Sequence, residues 1–189
     1  MKTGERARHR SPQMTYEGVR RVIQRTYPAY DVEILEGEYH IVAPHDMISS
    51  NIVMRLGWLL GSWNASRKLG NLFDSNGGLV FPDGDKMAPD FTYVSRERLP
   101  VIPRSFAHVV PELVVEVRSS RQTERATRRK LETLMAKGVD VGVYIDPRSR
   151  VVEIHRQGRT PVSLAPGDRF ELPDILPGFS VVVDEFWPE

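Results

Sequence analysis

Three residues in the middle of the chain have types suited to one reaction. Asp90 follows Pro89 and precedes an apolar segment, Phe91 to Val94. Glu116 lies inside Leu113-Val114-Val115-Glu116-Val117, the kind of run that forms a strand buried on both faces. Lys130 follows on a basic segment with helical spacing. A carboxylate inside an apolar run is costly unless it is paired or bound to a metal. Two carboxylates can hold a divalent cation and still leave positions for water and a phosphate group. The cation lowers the pKa of the water and neutralises developing charge. An ammonium close by can orient the water or stabilise charge on phosphoryl oxygens. The combination suits phosphodiester hydrolysis. The bland alternative for Glu116 is an ion pair with Arg118, because residues i and i+2 share one face of a strand. Asp90 alone reads as a turn or cap aspartate. Arg118 cannot serve as a base in place of a lysine, since a guanidinium keeps its proton in proteins.

These residues need elements to position them. Thr15 can cap a helix that carries Val19, Val22 and Ile23 and ends at Tyr27-Pro28. Two apolar runs, residues 32–35 and 38–42, flank Glu36-Gly37 and read as a hairpin or bulged strand. From Met47 to about Leu69, the residues Ile48, Ile52, Val53, Leu56, Leu59, Leu60 and Trp63 follow the spacing of an amphipathic helix, with Gly70 as its cap. Trp58 and Trp63 are read as core and helix-edge residues of that helix. Short strands are expected around the Gly77-Gly78 turn, at Phe91 to Val94 and at Val109 to Val117. Thr123 to Lys137 is a helix ended by Gly138. Its inward face is set by Thr127, Leu131, Leu134 and Met135, and Lys130 lies at the boundary of that face. There it could reach over the sheet edge or extend into solvent. Val139 to Ile145 and Arg150 to His155 form a hairpin across Pro147-Arg148-Ser149, and a proline-punctuated tail follows. The order of elements predicts an α/β (α+β) sandwich, a central mixed sheet flanked by helices.

Composition narrows the function classes. The chain has 189 residues and a net charge of +1, and residues 13–189 are expected to form a single domain behind a disordered basic tail, residues 1–12. It has no cysteine, which excludes disulfides, zinc-thiolate sites and a cysteine nucleophile. A metal would be held by oxygen or imidazole, which favours magnesium, manganese or calcium. No apolar run approaches the roughly 20 residues of a membrane span, and the basic start lacks the apolar core of a secretory signal, so a cytoplasmic protein is expected. Arg118, Arg121, Arg125, Arg128, Arg129 and Lys130 fall within thirteen residues. Such a run is either a solvated face or a footprint for backbone phosphates. The five histidines show no ligand spacing, and no nucleophile-elbow or P-loop pattern occurs.

Six short motifs then occur in one order: Glu36-Gly37-Glu38; Ala88-Pro89-Asp90 with Val94-Ser95-Arg96-Glu97-Arg98; Val114-Val115-Glu116-Val117-Arg118-Ser119; Lys130 with Lys137-Gly138-Val139; Ile145-Asp146-Pro147; and Leu176-Pro177-Gly178-Phe179. The set resembles the Uma-type putative restriction endonuclease family of the PD-(D/E)xK nuclease superfamily, over roughly residues 14 to 187. The resemblance implies a restriction-endonuclease-like fold and a metal-dependent endonuclease acting on DNA. It implies magnesium, with manganese as an alternative, held by Asp90 and Glu116. Glu38, or less favourably Glu33, would complete the metal shell. The superfamily's lysine, two residues after the glutamate, is Arg118 here, and the resemblance moves its role to Lys130. A histidine that many members carry after the first hairpin is replaced by the region of Ser49 and Ser50, with His45 close by but outside the family position. Arg118, Arg121, Arg125 and Arg128 are the candidate phosphate contacts, and a homodimer would match two-fold DNA. The rival reading is a catalytically inactive nucleic-acid- or protein-binding module of the same fold.

Overall fold

The computed structural model describes residues 14–188. The basic tail expected over residues 1–12 lies outside the described residues. Among the described residues, three α-helices, twelve strands and a closing 3-10 turn follow one another. The first helix, α1 (Tyr16–Thr26), starts where the Thr15 hydroxyl accepts from the Gly18 N–H and ends at Tyr27-Pro28. Strands β1 (Asp31–Leu35) and β2 (Glu38–Val42) form the expected hairpin, with Glu36 and Gly37 both at positive φ. The long helix α2 (Met47–Arg67) is capped by Asp46, whose carboxylate accepts from Ser49 N–H at 2.9 Å.

Next come β3 (Gly70–Asp74), β4 (Leu79–Val80), β5 (Lys86–Met87), β6 (Phe91–Ser95) and β7 (Leu113–Val117). Helix α3 (Glu124–Ala136) leads to β8 (Val141–Asp146), β9 (Val151–Arg156), β10 (Val162–Leu164), β11 (Arg169–Glu171) and β12 (Ser180–Val182). Gly138, at φ 97°, ends α3 as its sequence position predicts.

Six strands form the main sheet in the order β10-β9-β8-β7-β6-β3. Only β7 and β8 in it are parallel, and α3 makes the crossover between them, so the sheet is mixed. A smaller antiparallel sheet, β2-β1-β5-β4, carries the first hairpin, and β11 pairs with β12.

The period-two alternation of β7 divides the core. Leu113, Val115 and Val117 pack with Ile52, Leu56, Leu60 and Trp63 of α2 and with Phe170, Phe179 and Phe186 of the tail. Val114 joins Leu131 and Leu134 of α3, together with Tyr144, Leu35, Phe81 and Met87. Each fully buried aliphatic side chain contributes about 1.5–3 kcal/mol relative to exposure. Glu116 has the parity of Val114, so it belongs to the α3 face of the sheet.

Two expectations change. Gly70 does not cap α2: Lys68 takes the left-handed conformation at φ 54°, and its N–H bonds Asn64 O at 2.7 Å. Gly70 is instead required for packing, because a Cβ there would stand 2.4 Å from the Tyr93 ring and 2.6 Å from Val94 O. Trp63 is buried and donates its indole N–H to Pro177 O, whereas Trp58 is 69% exposed. Position 58 falls on the outer side of a helix of which only one face meets the sheet. No helix among the described residues is long and apolar enough to cross a membrane.

Candidate active site

The end of β7, the segment entering β6, strand β1 and helix α3 converge on one buried cluster. Glu116 is 1% exposed, and Asp90 and Glu33 are 5% exposed. The Lys130 ammonium lies 3.0 Å from Glu116 Oε1 and 3.0 Å from Glu33 Oε1, and it donates to Ala88 O at 3.3 Å. Glu33 Oε1 also accepts the Ala88 N–H at 2.8 Å, which ties β1 to the Ala88-Pro89-Asp90 segment. Asp90 Oδ2 accepts the Val117 N–H at 2.7 Å, and Asp90 Oδ1 lies 2.8 Å from His45 Nε2. Lys130 therefore reaches over the sheet edge, the inward alternative for a residue at the boundary of a helix face.

The electrostatics follow from three carboxylates sharing a space shielded from water. Burial pushes the Glu116 carboxyl well above the usual range; Lys130 opposes this, and the charges of Asp90 and Glu33 add to it. Burial alone would lower the Lys130 pKa, but Glu116, Glu33 and Asp90 outweigh it and hold the ammonium protonated. The hydrogen bond to Asp90 raises His45 above the ordinary imidazole value, against the effect of its own burial. Although Lys130 is near, Glu116 Oε1 receives no hydrogen bond of good geometry. A buried carboxylate oxygen held by an ion pair alone, beside two further carboxylates, is a donor set that fits a hard divalent cation. Among the described residues, no three His, Asp or Glu side chains converge as a ready-made metal cage.

The remaining candidates lie elsewhere. Glu38 is exposed on β2 opposite Leu35 and forms no ion pair among the described residues; Glu33 is the acid of the hairpin that meets the cluster. Glu33, the less favoured alternative in sequence, carries the same signal that singled out Glu116, an acid inside an apolar run (Val32-Glu33-Ile34-Leu35), and that rule applied to β1 would have ranked it above Glu38. Arg118 does not pair with Glu116. β7 ends at Val117, and Arg118 bonds Asp146 at the end of the neighbouring β8 at 2.9 Å. Arg128 is held by Glu153 and Glu124 and lies 4.3 Å from the centre of the Tyr144 ring. Arg118 and Arg128 are thus committed within the fold, whereas Arg121 and Arg125 are exposed and form no ion pair among the described residues.

Sequence reasoning also passed over His45 and Asp46. His45 precedes the α2 cap, where nothing in its spacing marks it. Asp46 joins the start of α2 to the end of β7 by accepting from both Ser49 N–H and Ser120 N–H. Partial burial works against its charge, but these donors hold its carboxyl well below the usual range.

The cluster opens outward into a cleft of about 380 Å³ whose lining includes Glu33, Asp90, His45, Asp46, Tyr16 and Phe106. Glu116 and Lys130 lie behind that lining.

Comparisons with known proteins agree with this architecture. The model of the Uma2 family, described as putative restriction endonuclease, matches residues 20–184. No curated protein matches the chain. Among solved structures, the chain is similar to a putative nuclease belonging to DUF820 from Anabaena variabilis, with a TM-score of 0.73 and 16% identity. That similarity covers 82% of this chain and 89% of the other. At this identity, the likeness bears on the fold.

Proposed function

Because the chain belongs to the Uma2 family of putative restriction endonucleases, we propose that it is a magnesium- or manganese-dependent endonuclease that hydrolyses DNA phosphodiester bonds in the cytoplasm. The observation that carries this reading is the Lys130 ammonium, 3.0 Å from both Glu116 and Glu33, behind an Asp90 that faces an open cleft.

Asp90 and Glu116 would hold the metal, and Glu33 replaces Glu38 as the third acid of the shell. Bound there, the metal supplies activated water and charge neutralisation. Lys130, kept protonated by its acid neighbours, stabilises charge on the phosphoryl oxygens and does not serve as the base. His45 and the Val117 N–H fix the Asp90 carboxylate, so the acid needs no reorganisation when substrate arrives. Arg121 and Arg125 remain as candidate contacts to backbone phosphate. A single copy carries one such site, so cutting both strands of a duplex would call for a homodimer.

The test is cleavage of supercoiled plasmid in magnesium and in manganese by the wild type, Asp90→Asn and Lys130→Met. Nicking by the wild type and its loss in Asp90→Asn is the expected result. The Lys130 ammonium, which already bridges Glu116 and Glu33, favours a second reading, an inactive binding module. Binding of a single strand or a duplex by the wild type, with cleavage of neither in either metal, would select it.

A further inference from the structure

We propose that the site takes an unpaired nucleotide of a single strand, not an intact duplex, and that the strand leaves it along a groove beside Phe106. The inference rests on the nuclease reading above and names its substrate class.

The cleft over Asp90 and Glu33 holds about 380 Å³, the scale of a small-molecule pocket, and both acids at its floor are 5% exposed. A duplex carries its phosphates on either side of grooves about 12 Å and 6 Å wide, on a rod stiff over roughly 150 base pairs. Lowering one phosphate onto a buried carboxylate would require distorting that rod. A single strand rotates freely at each backbone bond and can be threaded in.

The cleft also continues. A second one, of about 570 Å³, shares Asn76, Lys86 and Phe106 with it, so the two adjoin between the acids and the segment 102–106. Phe106 belongs to both clefts, and Tyr16, which lines the inner one, meets it edge to face at 6.0 Å. The Phe106 ring rests directly on Gly78, where an added Cβ would stand 2.4 Å from ring atoms. Lys86 places its ammonium 4.4 Å from the centre of the Tyr16 ring, and Arg104 is exposed at the outer rim. Neither cation forms an ion pair among the described residues, whereas Arg20 is tied to Asp31. Glu17 is the acid lining the outer part. Arg20 also lies 5.9 Å from the centre of the Phe106 ring; aromatic rings flanked by cations are how single-stranded nucleic acids are held without sequence preference. The inner cleft is itself acidic, lined by Asp31, Glu33, Asp46 and Asp90, so the cations that would meet a strand are those of the outer part.

The experiment uses the full chain and labelled oligonucleotides of one sequence as a single strand, a blunt duplex and a duplex with a single-stranded flap. Affinity is read by fluorescence anisotropy in calcium, and cleavage in magnesium and manganese. The variants are Phe106→Ala, Arg104→Glu and Asp90→Asn. The single strand and the flap should bind about tenfold tighter than the blunt duplex or better, with cuts in or beside the unpaired segment. Phe106→Ala and Arg104→Glu should each weaken single-strand binding by about fivefold or more and leave duplex binding nearly unchanged. Arg104 is exposed, so its variant reports even if Phe106→Ala unfolds. Asp90→Asn should bind without cutting. Equal affinity for duplex and single strand, or cleavage of the blunt duplex alone, would overturn the groove and leave the nuclease reading standing. Unchanged single-strand affinity in Arg104→Glu, with Phe106→Ala either unaffected or unfolded, would also overturn it. Single-strand preference with no cleavage in either metal would overturn the nuclease reading and leave the groove.

Discussion

Replacing Lys130 with Met removes the cation but keeps much of the stem that crosses from α3 to the sheet. The ammonium stands 3.0 Å from Glu116 and 3.0 Å from Glu33, and its side chain is 13% exposed. Removing one partner of a buried ion pair typically costs about 3–5 kcal/mol, because the remaining charge is left unpaired. Glu116 limits the loss by taking up a proton, toward which burial already pushes it. For a chain of this size, each kcal/mol moves the melting temperature by about 2–4 °C, so Lys130→Met should melt roughly 6–20 °C below the wild type at neutral pH without divalent metal. The double variant Lys130→Met/Glu116→Gln should recover most of that loss, since a neutral, well-packed replacement of a whole buried pair is often neutral or stabilising. The assay is thermal and denaturant unfolding of the wild type, both single variants and the double variant, read as a double-mutant cycle. A loss below about 1 kcal/mol in Lys130→Met, or a double variant no more stable than the worse single, would refute the reasoning.

Three other perturbations test separate parts of the structure. Gly70→Ala should destabilise by about 1–3 kcal/mol, because its Cβ would press on the Tyr93 ring and Val94 O; unchanged unfolding would contradict that packing. Asp46→Ala removes the α2 cap and the link to Ser120, at a cost of about 1–2 kcal/mol above pH 5. The Asp46 carboxyl is depressed in the folded state, so its contribution is present above its ordinary value near 4 and is lost as pH falls below it; acid titration of the variant should show a flatter limb. Arg121→Gln and Arg125→Gln should each reduce the slope of log affinity against log salt by about 0.7–0.9 if they touch phosphates, whereas Arg128→Gln should lower stability and leave the slope unchanged.

Much of the fold could be read from local pattern. The caps at Thr15 and Gly138, the Glu36-Gly37 hairpin, the spacing of α2 and the buried run of β7 are short-range features, set by backbone geometry and by the period of apolar residues. The same local logic marked Glu116, because an acid inside an apolar run has few ways to be satisfied. Which partner satisfies it was a different matter. Arg118, two residues away, was the local candidate, yet the strand ends at Val117 and the neighbouring register offers Asp146 to the guanidinium. The cation that does meet Glu116 comes from fourteen positions on, carried across the α3 face by the parallel crossover from β7 to β8. Glu33 and His45 arrive from the small sheet and the α2 entrance, through contacts spanning 55 and 45 positions of sequence. Sequence alone determined the elements and the unusual acid, since both depend on neighbours in the chain. The tertiary structure decided which charges meet, because pairing depends on sheet order and register, and these bring together segments that no local period connects.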